Sequence, residues 1–559
     1  MSGGSFFGLN VALQGLFTSQ RSLDTVNHNL NNVNTPGYSR QQVVQQACRP
    51  IALVDGTGML GTGAEVTGVK RIRDEFLDFK YWSENISMGE WGAKQEVLSD
   101  IEVAFNEPSD SGFTTIMSDF YDAMQELTKD ASSEAARTLV RERGVTLATY
   151  FNSLATHFEE LQMDVNNRIQ TKVDEANSYA VQIQQLNKQI YLSELDGNTA
   201  NDMRDQRTLL VDKLSKIVNI EAYEVVTGKL PNGQDDKHFV VAISGKAIVD
   251  HFSISKLAVV QRDAAHKVND EDVDNLYDVK WADGNSLDIK GGELRGFLDT
   301  RDGNDGSNDG SNGITSPKYK GIPYYQRKLN EFVRVFARAF NEGYIDANND
   351  NGFDLGEENG IGHADGYGVD QTEKGYRFFT MLDGKQSISS ADFLDEAGLS
   401  LDAPDPTDPS YPAYMEKVYH LYDNITAKNF AVSDDILKDI NKISTSDSNT
   451  PTQEENTNAL KSLLDMRQNA NMFSEGAPED FMKATIASMG IDAQQAMNYE
   501  ANQQVVINQI IKRRLSDSGV SLDEEMTNLV KFQQAYSSSA KMIQTMNEVY
   551  DTLINRLFV

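Results

Sequence analysis

The sequence predicts a mainly α-helical, multidomain protein with a β-rich middle, whose N- and C-terminal helices pair as an α-helical coiled coil. Three observations support this fold class. Apolar residues recur at alternating four- and three-residue spacing near both ends, residues 74–214 have helical periodicity with few helix breakers, and Val, Ile and Phe become frequent beyond Ile220. A chain of 559 residues is long enough for about three or four domains.

The two terminal stripes carry the strongest signal in the chain. Alternating spacing places side chains on one face of a helix, and a partner helix is needed to bury that face. The simplest partner for each end is the other end, which indicates an assembly protein rather than an enzyme. The predicted self-assembly stripes are Leu9, Leu13, Leu16, Gln20, Leu23, Asn27 and Leu30 at the N-terminus, and Leu522, Met526, Leu529, Gln533, Tyr536, Ala540, Ile543, Asn547, Tyr550, Ile554 and Leu557 at the C-terminus.

Four polar residues interrupt these stripes, namely Gln20, Asn27, Gln533 and Asn547. They could mark positions where each helix faces water. They could instead fix the register and the choice of partner, as a buried Asn does in coiled coils. Both interpretations are compatible with the sequence, and the spacing among Leu, Ile and Tyr favours the second.

The first helix is predicted over 6–32, and it ends where Pro36-Gly37 fits the centre of a type II turn. A β-like stretch covers 42–54. The glycines from Gly56 to Gly63 match G-x-G-x-x-G, but residues 64–70 have the pattern of a strand rather than a helix. We therefore interpret this segment as a turn between strands and not as a dinucleotide site.

Residues 74–214 form the next predicted helical segment. Neither Gly nor Pro occurs between Gly144 and Gly197, and a continuous helix over that stretch would be roughly 75 Å long. Strands are predicted at 238–248 and 254–260, a flexible acidic loop at 299–313 and a helix at 324–341. Four prolines between 404 and 412 indicate a stiff surface linker, and helical pattern resumes at about 456.

These segments give four predicted domains. Residues 1–60 and 515–559 form the terminal coiled-coil polymerisation domain, and residues 61–218 with 430–514 form a helical rod or bundle. Residues 219–300 form a β-rich outer domain. Residues 301–429 form a mixed outer region that contains the helix at 324–341 and an acidic insertion.

The charge of the chain is strongly negative and unevenly placed. The net charge is −33, yet the two ends contribute only −1, because residues 1–60 carry three Arg and two Asp while residues 520–559 carry three basic and five acidic residues. An acidic middle repels its neighbours and aids solubility. This balance argues against nucleic acid and against membrane surfaces as partners. No apolar run is long enough to span a bilayer, and no secretory signal is predicted at the N-terminus.

The sequence contains no pattern of catalytic residues. It lacks H-E-x-x-H, G-x-S-x-G, C-x-x-C and the Walker motif, and its seven histidines are scattered. Its single cysteine, Cys48, excludes an internal disulfide framework and is predicted to be a small packed residue. We predict neither enzymatic activity nor a bound cofactor.

One loop resembles a calcium site. Residues 346–357 place oxygen-bearing side chains at positions 1, 3, 5, 9 and 12 of a twelve-residue EF-hand loop, but Asn351 occupies the position of the usual Gly and no second helix is predicted to follow. The alternative is an acidic Asn/Gly-rich turn that binds no ion. The sequence does not decide between calcium binding and this turn, so no metal ligand is assigned. The candidate ligands are Asp346, Asn348, Asp350, Asp354 and Glu357.

Two segments resemble a known family. The segment LDTVNHNLNNVNTPGYSRQ, residues 23–41, looks like the N-terminal signature of bacterial flagellar rod, hook and hook-associated proteins, and its YSRQ ending resembles the hook-associated branch. The segment SGVSLDEEMTNLVKFQQAYSSSAK, residues 518–541, is similar to the C-terminal signature of that branch. Residues 291–301 and 425–433 also fit it. The resemblance covers both ends strongly and the middle in patches.

The resemblance implies a structural role at the junction between hook and filament, outside the cell. It implies export through the flagellar type III channel without a cleaved signal peptide. The implied partners are further copies of the chain in a ring, the hook protein, the second hook-associated junction protein and a cytoplasmic export chaperone at the C-terminal region. Two alternatives are a calcium-dependent extracellular surface-binding protein and another axial flagellar protein, such as a hook, rod or second hook-associated protein.

Overall fold

The structure is a computed structural model of the whole chain, and it describes residues 7–52, 58–105, 112–231, 233, 235–307, 314–346, 360–369, 373–404, 407–449 and 456–555. Helices dominate both ends of the described chain, and strands are concentrated between them. This order confirms the predicted fold class of a helical protein with a β-containing middle.

The helical segments begin and end close to the predicted positions. The first helix differs by one residue at each end, and the long uninterrupted pattern after Gly144 lies within a single 62-residue helix. The described helices are α1 (Phe7–Asn31), α2 (Glu75–Phe105), α3 (Phe113–Leu127), α4 (Glu134–Leu195), α5 (Asn201–Ile217), α6 (Glu293–Asp302), α7 (Ile322–Glu342), α8 (Ser390–Asp395), α9 (Tyr411–Leu421), α10 (Asp434–Lys438), α11 (Asn458–Asp465), α12 (Pro478–Ser518) and α13 (Leu522–Asn555).

The strands form small antiparallel sheets. The largest described sheet has the order β5-β6-β7-β8, and β1 pairs with β4 beside α1. The strands are β1 (Gln41–Ala47), β2 (Ile51–Ala52), β3 (Met59–Leu60), β4 (Ala64–Arg71), β5 (Glu221–Lys229), β6 (Asp235–Ile243), β7 (Lys246–Asp250), β8 (Ser253–Ile254), β9 (Leu257–Gln261), β10 (Tyr277–Trp281), β11 (Phe379–Asp383), β12 (Gln386–Ser387) and β13 (Phe430–Val432).

The predicted strand at 238–248 is interrupted by a two-residue turn. Ser244 and Gly245 have φ values of 48° and 86°, the left-handed conformations that close a tight hairpin between β6 and β7. Residues 61–63 of the glycine segment lie between β3, which ends at Leu60, and β4, which begins at Ala64, as predicted, whereas Gly56 and Thr57 lie outside the described residues.

Helix α4 is the central helix against which the other helices of the helical body pack. At 1.5 Å per residue its length is roughly 93 Å, and Ser133 caps its N-terminus by accepting a hydrogen bond from the backbone N–H of Ala136. Along α4, buried side chains recur every three or four residues from Ala136 to Ile190. Helices α2, α3, α5, α6 and α7 and several strands pack against this face.

Helices α6 and α7 lie within the helical body, although the predicted boundaries assign their residues to outer regions. Gly296 of α6 approaches α2 so closely that a methyl group there would lie 2.5 Å from the carbonyl oxygen of Glu90. Phe332 of α7 packs edge-on against Phe113 and stacks on Phe151, with ring centroids 5.2 and 5.1 Å apart. The core of the protein is therefore built from several parts of the sequence, and the predicted domain boundaries remain a prediction.

Two predictions about loops are wrong in part. The predicted flexible acidic loop begins at 299, but residues 299–302 end α6, and Arg301 is fully buried because it pairs with Asp302 and donates to Asn166. The predicted proline linker extends to Pro412, but Pro412 lies in the first turn of α9, where its missing N–H costs no hydrogen bond. Residues 308–313 and Pro406 lie outside the described residues.

Candidate functional site: the paired terminal helices and their junction

The two ends of the chain meet as an antiparallel helix pair. A methyl group on Gly8 of α1 would overlap Met546 of α13, and one on Gly15 would lie 3.1 Å from the hydroxyl oxygen of Ser539. The contact partner moves back by seven residues on α13 when the position on α1 advances by seven, so the two helices run antiparallel. The sequence prediction that each end packs against the other is confirmed at the level of these two helices.

The face of α1 that meets α13 is built from small side chains. Gly8 and Gly15 of this face contact α13, one residue out of step with the predicted leucine stripe. The four- and three-residue series that runs through them also contains the buried Ala12, Ser19, Ser22, Val26 and Asn29. Small side chains let the two helix backbones approach closely. The predicted stripe lies beside this face, with Leu9, Leu16, Leu23 and Leu30 half-buried and Leu13, Gln20 and Asn27 exposed.

Helix α13 meets α1 with larger side chains. Four residues of its predicted stripe, Leu529, Tyr536, Ile543 and Tyr550, are half-buried on this face. They alternate with Glu525, Phe532, Ser539 and Met546, which the prediction missed. The remaining predicted positions are the half-buried Ala540, the exposed Leu522, Met526, Gln533, Asn547 and Ile554, and Leu557, which lies outside the described residues.

Apolar side chains therefore remain on the outside of the helix pair. Leu13 and Phe17 on α1 are 39% and 59% exposed, and Leu522, Met526 and Ile554 on α13 are 53%, 52% and 65% exposed. Scattered exposed apolar residues are ordinary, but a row of them along a two-helix pair indicates a surface that packs against another chain.

A turn after α1 fixes the chain that leaves the helix. The Asn29 side chain donates to the carbonyl oxygen of Gln41 and accepts from its backbone N–H, both at 2.9 Å, and it also accepts from the Tyr38 hydroxyl at 2.8 Å. Gly37 has φ +80° and packs on Leu209 of α5. These contacts explain why an Asn, a Pro-Gly turn and a Tyr stand at this spacing.

Charged groups bind this turn to the helical body. The Asp205 carboxylate of α5 accepts from the backbone N–H of Ser39 at 2.7 Å and from its hydroxyl at 2.9 Å. Arg71 of β4 donates to the same carboxylate at 2.8 Å. Arg73 donates to Asp78 of α2 at 2.7 Å and to Ser39 at 3.1 Å.

Arg514 of α12 links three helices at the same junction. Its guanidinium pairs with Asp78 of α2 and with Asp212 of α5, the latter through N–O distances of 2.9 and 3.1 Å, and lies 4.2 Å from the Tyr81 ring centroid. Trp82 donates to Asp212 at 2.6 Å. Burial raises the pKa of the Asp212 carboxyl, and the Arg514 charge opposes that rise.

Most of the candidate calcium ligands lie outside the residues that the structure describes. Asp346 is buried just beyond the end of α7, whereas Asn348, Asp350, Asp354 and Glu357 lie outside the described residues. Within the described ranges, no three His, Cys, Asp or Glu side chains are grouped so that they could hold a metal ion. None of the helices searched in those ranges is long and apolar enough to cross a lipid bilayer.

Known proteins resemble this chain along nearly its whole length. Residues 98–362 match the family model of the flagellar hook-associated protein FlgK helical domain, and residues 512–557 match that of the flagellar basal body rod FlgEFG protein C-terminal region. Flagellar hook-associated protein 1 of Bacillus subtilis is 28% identical, with 99% of each chain covered. Its Escherichia coli counterpart is 27% identical, over 98% of this chain and 99% of its own.

The chain resembles the flagellar hook-associated protein 1 family. The flagellar hook junction protein FlgK from Burkholderia pseudomallei has the same fold, with a TM-score of 0.52 and 14% identity over 79% of this chain and 100% of its own. These similarities support a structural role in the bacterial flagellum. The resemblance inferred from residues 23–41 and 518–541 is thereby confirmed.

The sequence prediction missed the junction residues Asp205, Asp212 and Arg514. Arg514 and Asp212 are 302 residues apart, so no local pattern connects them. Only one junction residue lies within the N-terminal signature, namely Ser39, whose backbone N–H donates to Asp205.

We expect Asn29→Ala to loosen α1 from β1. The substitution removes three hydrogen bonds and leaves the half-buried backbone groups of Gln41 without the Asn29 side chain, which costs at most about 1–3 kcal/mol for each unsatisfied group. Amide hydrogen exchange over residues 7–47 measures this effect locally and should become faster. Asn27→Ala on the exposed side of the same helix is the matched control. Unchanged exchange at Gln41 in Asn29→Ala would contradict the expectation.

Proposed function

We propose that the chain forms the junction between hook and filament by self-assembly through its terminal helices. The observation that supports this most directly is the helix pair itself. Residues near 8 and 546 are brought together in one chain, yet the pair keeps apolar rows on its outside. Neighbouring copies arranged in a ring would bury those rows, because identical subunits present the same surfaces to one another.

The charge distribution supports an inner and an outer side. The ends contribute −1 of the net charge of −33, so nearly all of the repulsion between copies comes from the middle of the chain. Residues 1–60 and 515–559 would form the inner polymerisation domain, and residues 61–218 with 430–514 the helical layer around it. Residues 219–300 and 301–429, apart from α6 and α7, would face outward, where their acidic side chains are solvated.

The proposed partners follow from this position. On one side the ring would contact the hook protein, and on the other the second hook-associated junction protein. Before export, a cytoplasmic chaperone would hold the C-terminal region. The proposed location is extracellular, in the flagellum, with export that needs no cleaved signal peptide. The proposal assigns the protein a structural rather than an enzymatic role.

A single exposed residue provides the test. Met526→Glu places a charge on the outer row of α13 without disturbing the face toward α1, so we expect the protein to fold but filaments to be lost. Cells whose own gene is replaced by the variant should keep hooks, shed filament protein into the medium and fail to swim. Immunogold labelling of the unmodified protein should mark the boundary between hook and filament.

Ser538→Glu is the control for this experiment, since it adds the same charge at an exposed position of α13 outside the predicted stripe. Normal swimming by cells carrying Met526→Glu would oppose self-assembly through α13. Labelling spread along the filament, or confined to the base of the hook, would oppose the junction.

A further inference from the structure

A polar pocket opens where α1, β1 and the start of α13 meet. Its volume is about 320 Å³, and its walls include Val26 of α1, Arg40 and Gln42 of the N-terminal segment, and Glu525 and Lys531 of α13. Arg40 connects the pocket to the end of α12, because its backbone N–H donates to the carbonyl oxygen of Ser518, the last residue of that helix, at 2.7 Å.

Two groups in this pocket lack partners within the described part of the chain. Glu525 is only 3% exposed, and its Oε2 accepts no hydrogen bond there. The Nε of Arg40 is also buried without an acceptor, since Arg40 uses Nη1 to pair with Glu524 at 2.5 Å. No N–O distance within 4.0 Å joins Arg40 to Glu525 among the described ion pairs.

The other polar side chains of the α1 wall are already satisfied. The Ser22 hydroxyl donates to the carbonyl oxygen of Thr18 at 2.9 Å, and the Thr25 hydroxyl donates to that of Arg21 at 3.0 Å. A ligand for this pocket must therefore donate a hydrogen bond to Oε2 of Glu525 and accept one from Nε of Arg40.

A carboxamide meets both needs. Its NH₂ donates to a carboxylate and its oxygen accepts from a guanidinium. An ammonium group would leave the Arg40 N–H without an acceptor, and a carboxylate would be repelled by Glu525. The exposed face of α1 offers such groups within its leucine stripe, at Gln20 and Asn27. Neither side chain makes a hydrogen bond to another described residue, so their place among leucines is otherwise unexplained.

We propose that the pocket of one copy receives the side-chain amide of Gln20 from a second copy. This rests on the proposed function, because it presupposes that copies meet through their terminal helices. Gln20 is favoured over Asn27 because its side chain is one methylene longer. Gln20 is also six residues from Val26, a wall residue of its own copy's pocket, whereas Asn27 is next to Val26 in sequence. A polar contact inside an apolar interface sets the register between helices, so this contact selects how copies are staggered.

The contact between Gln20 of one copy and Glu525 of another can be tested in cells that carry the full-length protein, by exchanging which of the two side chains donates the hydrogen bond. Gln20→Glu sets two carboxylates against each other, and we expect about a tenfold fall in the fraction of cells with filaments. Adding Glu525→Gln to that variant restores a donor to the carboxylate, and the filaments should return. Amide exchange of the purified variants over residues 22–45 should match the parent, which separates assembly from folding.

Asn27→Asp, alone and with Glu525→Gln, is the matched control. Loss and rescue at position 27 but not at 20 would overturn the assignment of Gln20, as would unchanged filaments in Gln20→Glu. The failure of the proposed function looks different, because Met526→Glu would then leave filaments intact. Lost filaments with Met526→Glu, together with normal filaments with Gln20→Glu, would reject the pocket contact alone.

Discussion

Replacing Arg514 with Ala should loosen α12 from α2 and α5 at the junction next to the terminal helix pair, and it should reduce filament attachment. Arg514 is the only described cation within ion-pair distance of both Asp78 and Asp212. Removing one partner from a buried ion pair costs about 3–5 kcal/mol, because the remaining charge is desolvated without compensation. Asp78 retains Arg73 and Asp212 retains Trp82, which limits the loss to the lower part of that range.

Local amide exchange is the appropriate measurement, since a chain with several structural units does not unfold in one step. Exchange should accelerate in α2, α5 and α12 near the junction and stay unchanged in the β5-β8 sheet. Arg513→Ala removes an exposed neighbouring guanidinium and should have no effect. Arg514→Lys keeps the charge but not the forked geometry, so an intermediate result is expected. Parental exchange rates in Arg514→Ala would show that the junction does not depend on this residue.

Deleting residues 541–559 should prevent filament attachment while the middle of the chain stays folded. The deletion removes Ile543, Met546 and Tyr550, and with them the surface that covers the N-terminal half of α1 around Gly8. An amphipathic helix without its partner does not recover the entropy of ordering. The first half of α1 should therefore lose protection from amide exchange.

Swimming assays and electron microscopy of cells carrying the truncated gene measure the functional loss. Thr545→Ala, Glu548→Ala and Asp551→Ala, introduced together, form the control, because they change exposed positions of the same segment and keep the face toward α1. Normal filaments on cells with the truncated protein would show that the end of α13 is dispensable.

The fold class was predictable from the sequence because long helices have a strong period. The spacing of Leu9, Leu13 and Leu16 identified α1 within one residue at each end. The face that meets α13 was not predictable, since a hydrophobic pattern does not register Gly8, Ala12, Gly15 and Ser19. A neighbouring stripe shifted by one residue has the same period and larger side chains, so the prediction chose it.

The junction was beyond sequence reasoning for a different reason. Ser39 to Asp205 and Asp212 to Arg514 are contacts across 166 and 302 positions. Charged residues at such separations carry no periodic signal, and most Asp and Arg residues in an acidic protein are solvated. The short motif NTPGYSR indicated that something is fixed at this point, but only the packed helices α5 and α12 show what it is fixed to.

The contact between Arg40 and Ser518 has a mechanical consequence. The terminal pair is joined to the rest of the protein by two covalent connections, one after α1 and one of three residues between α12 and α13. The hydrogen bond at 2.7 Å and the pairing of Arg40 with Glu524 tie these connections to each other. Torque applied to the helix pair would therefore load both connections in parallel, and neither would carry the twisting force alone.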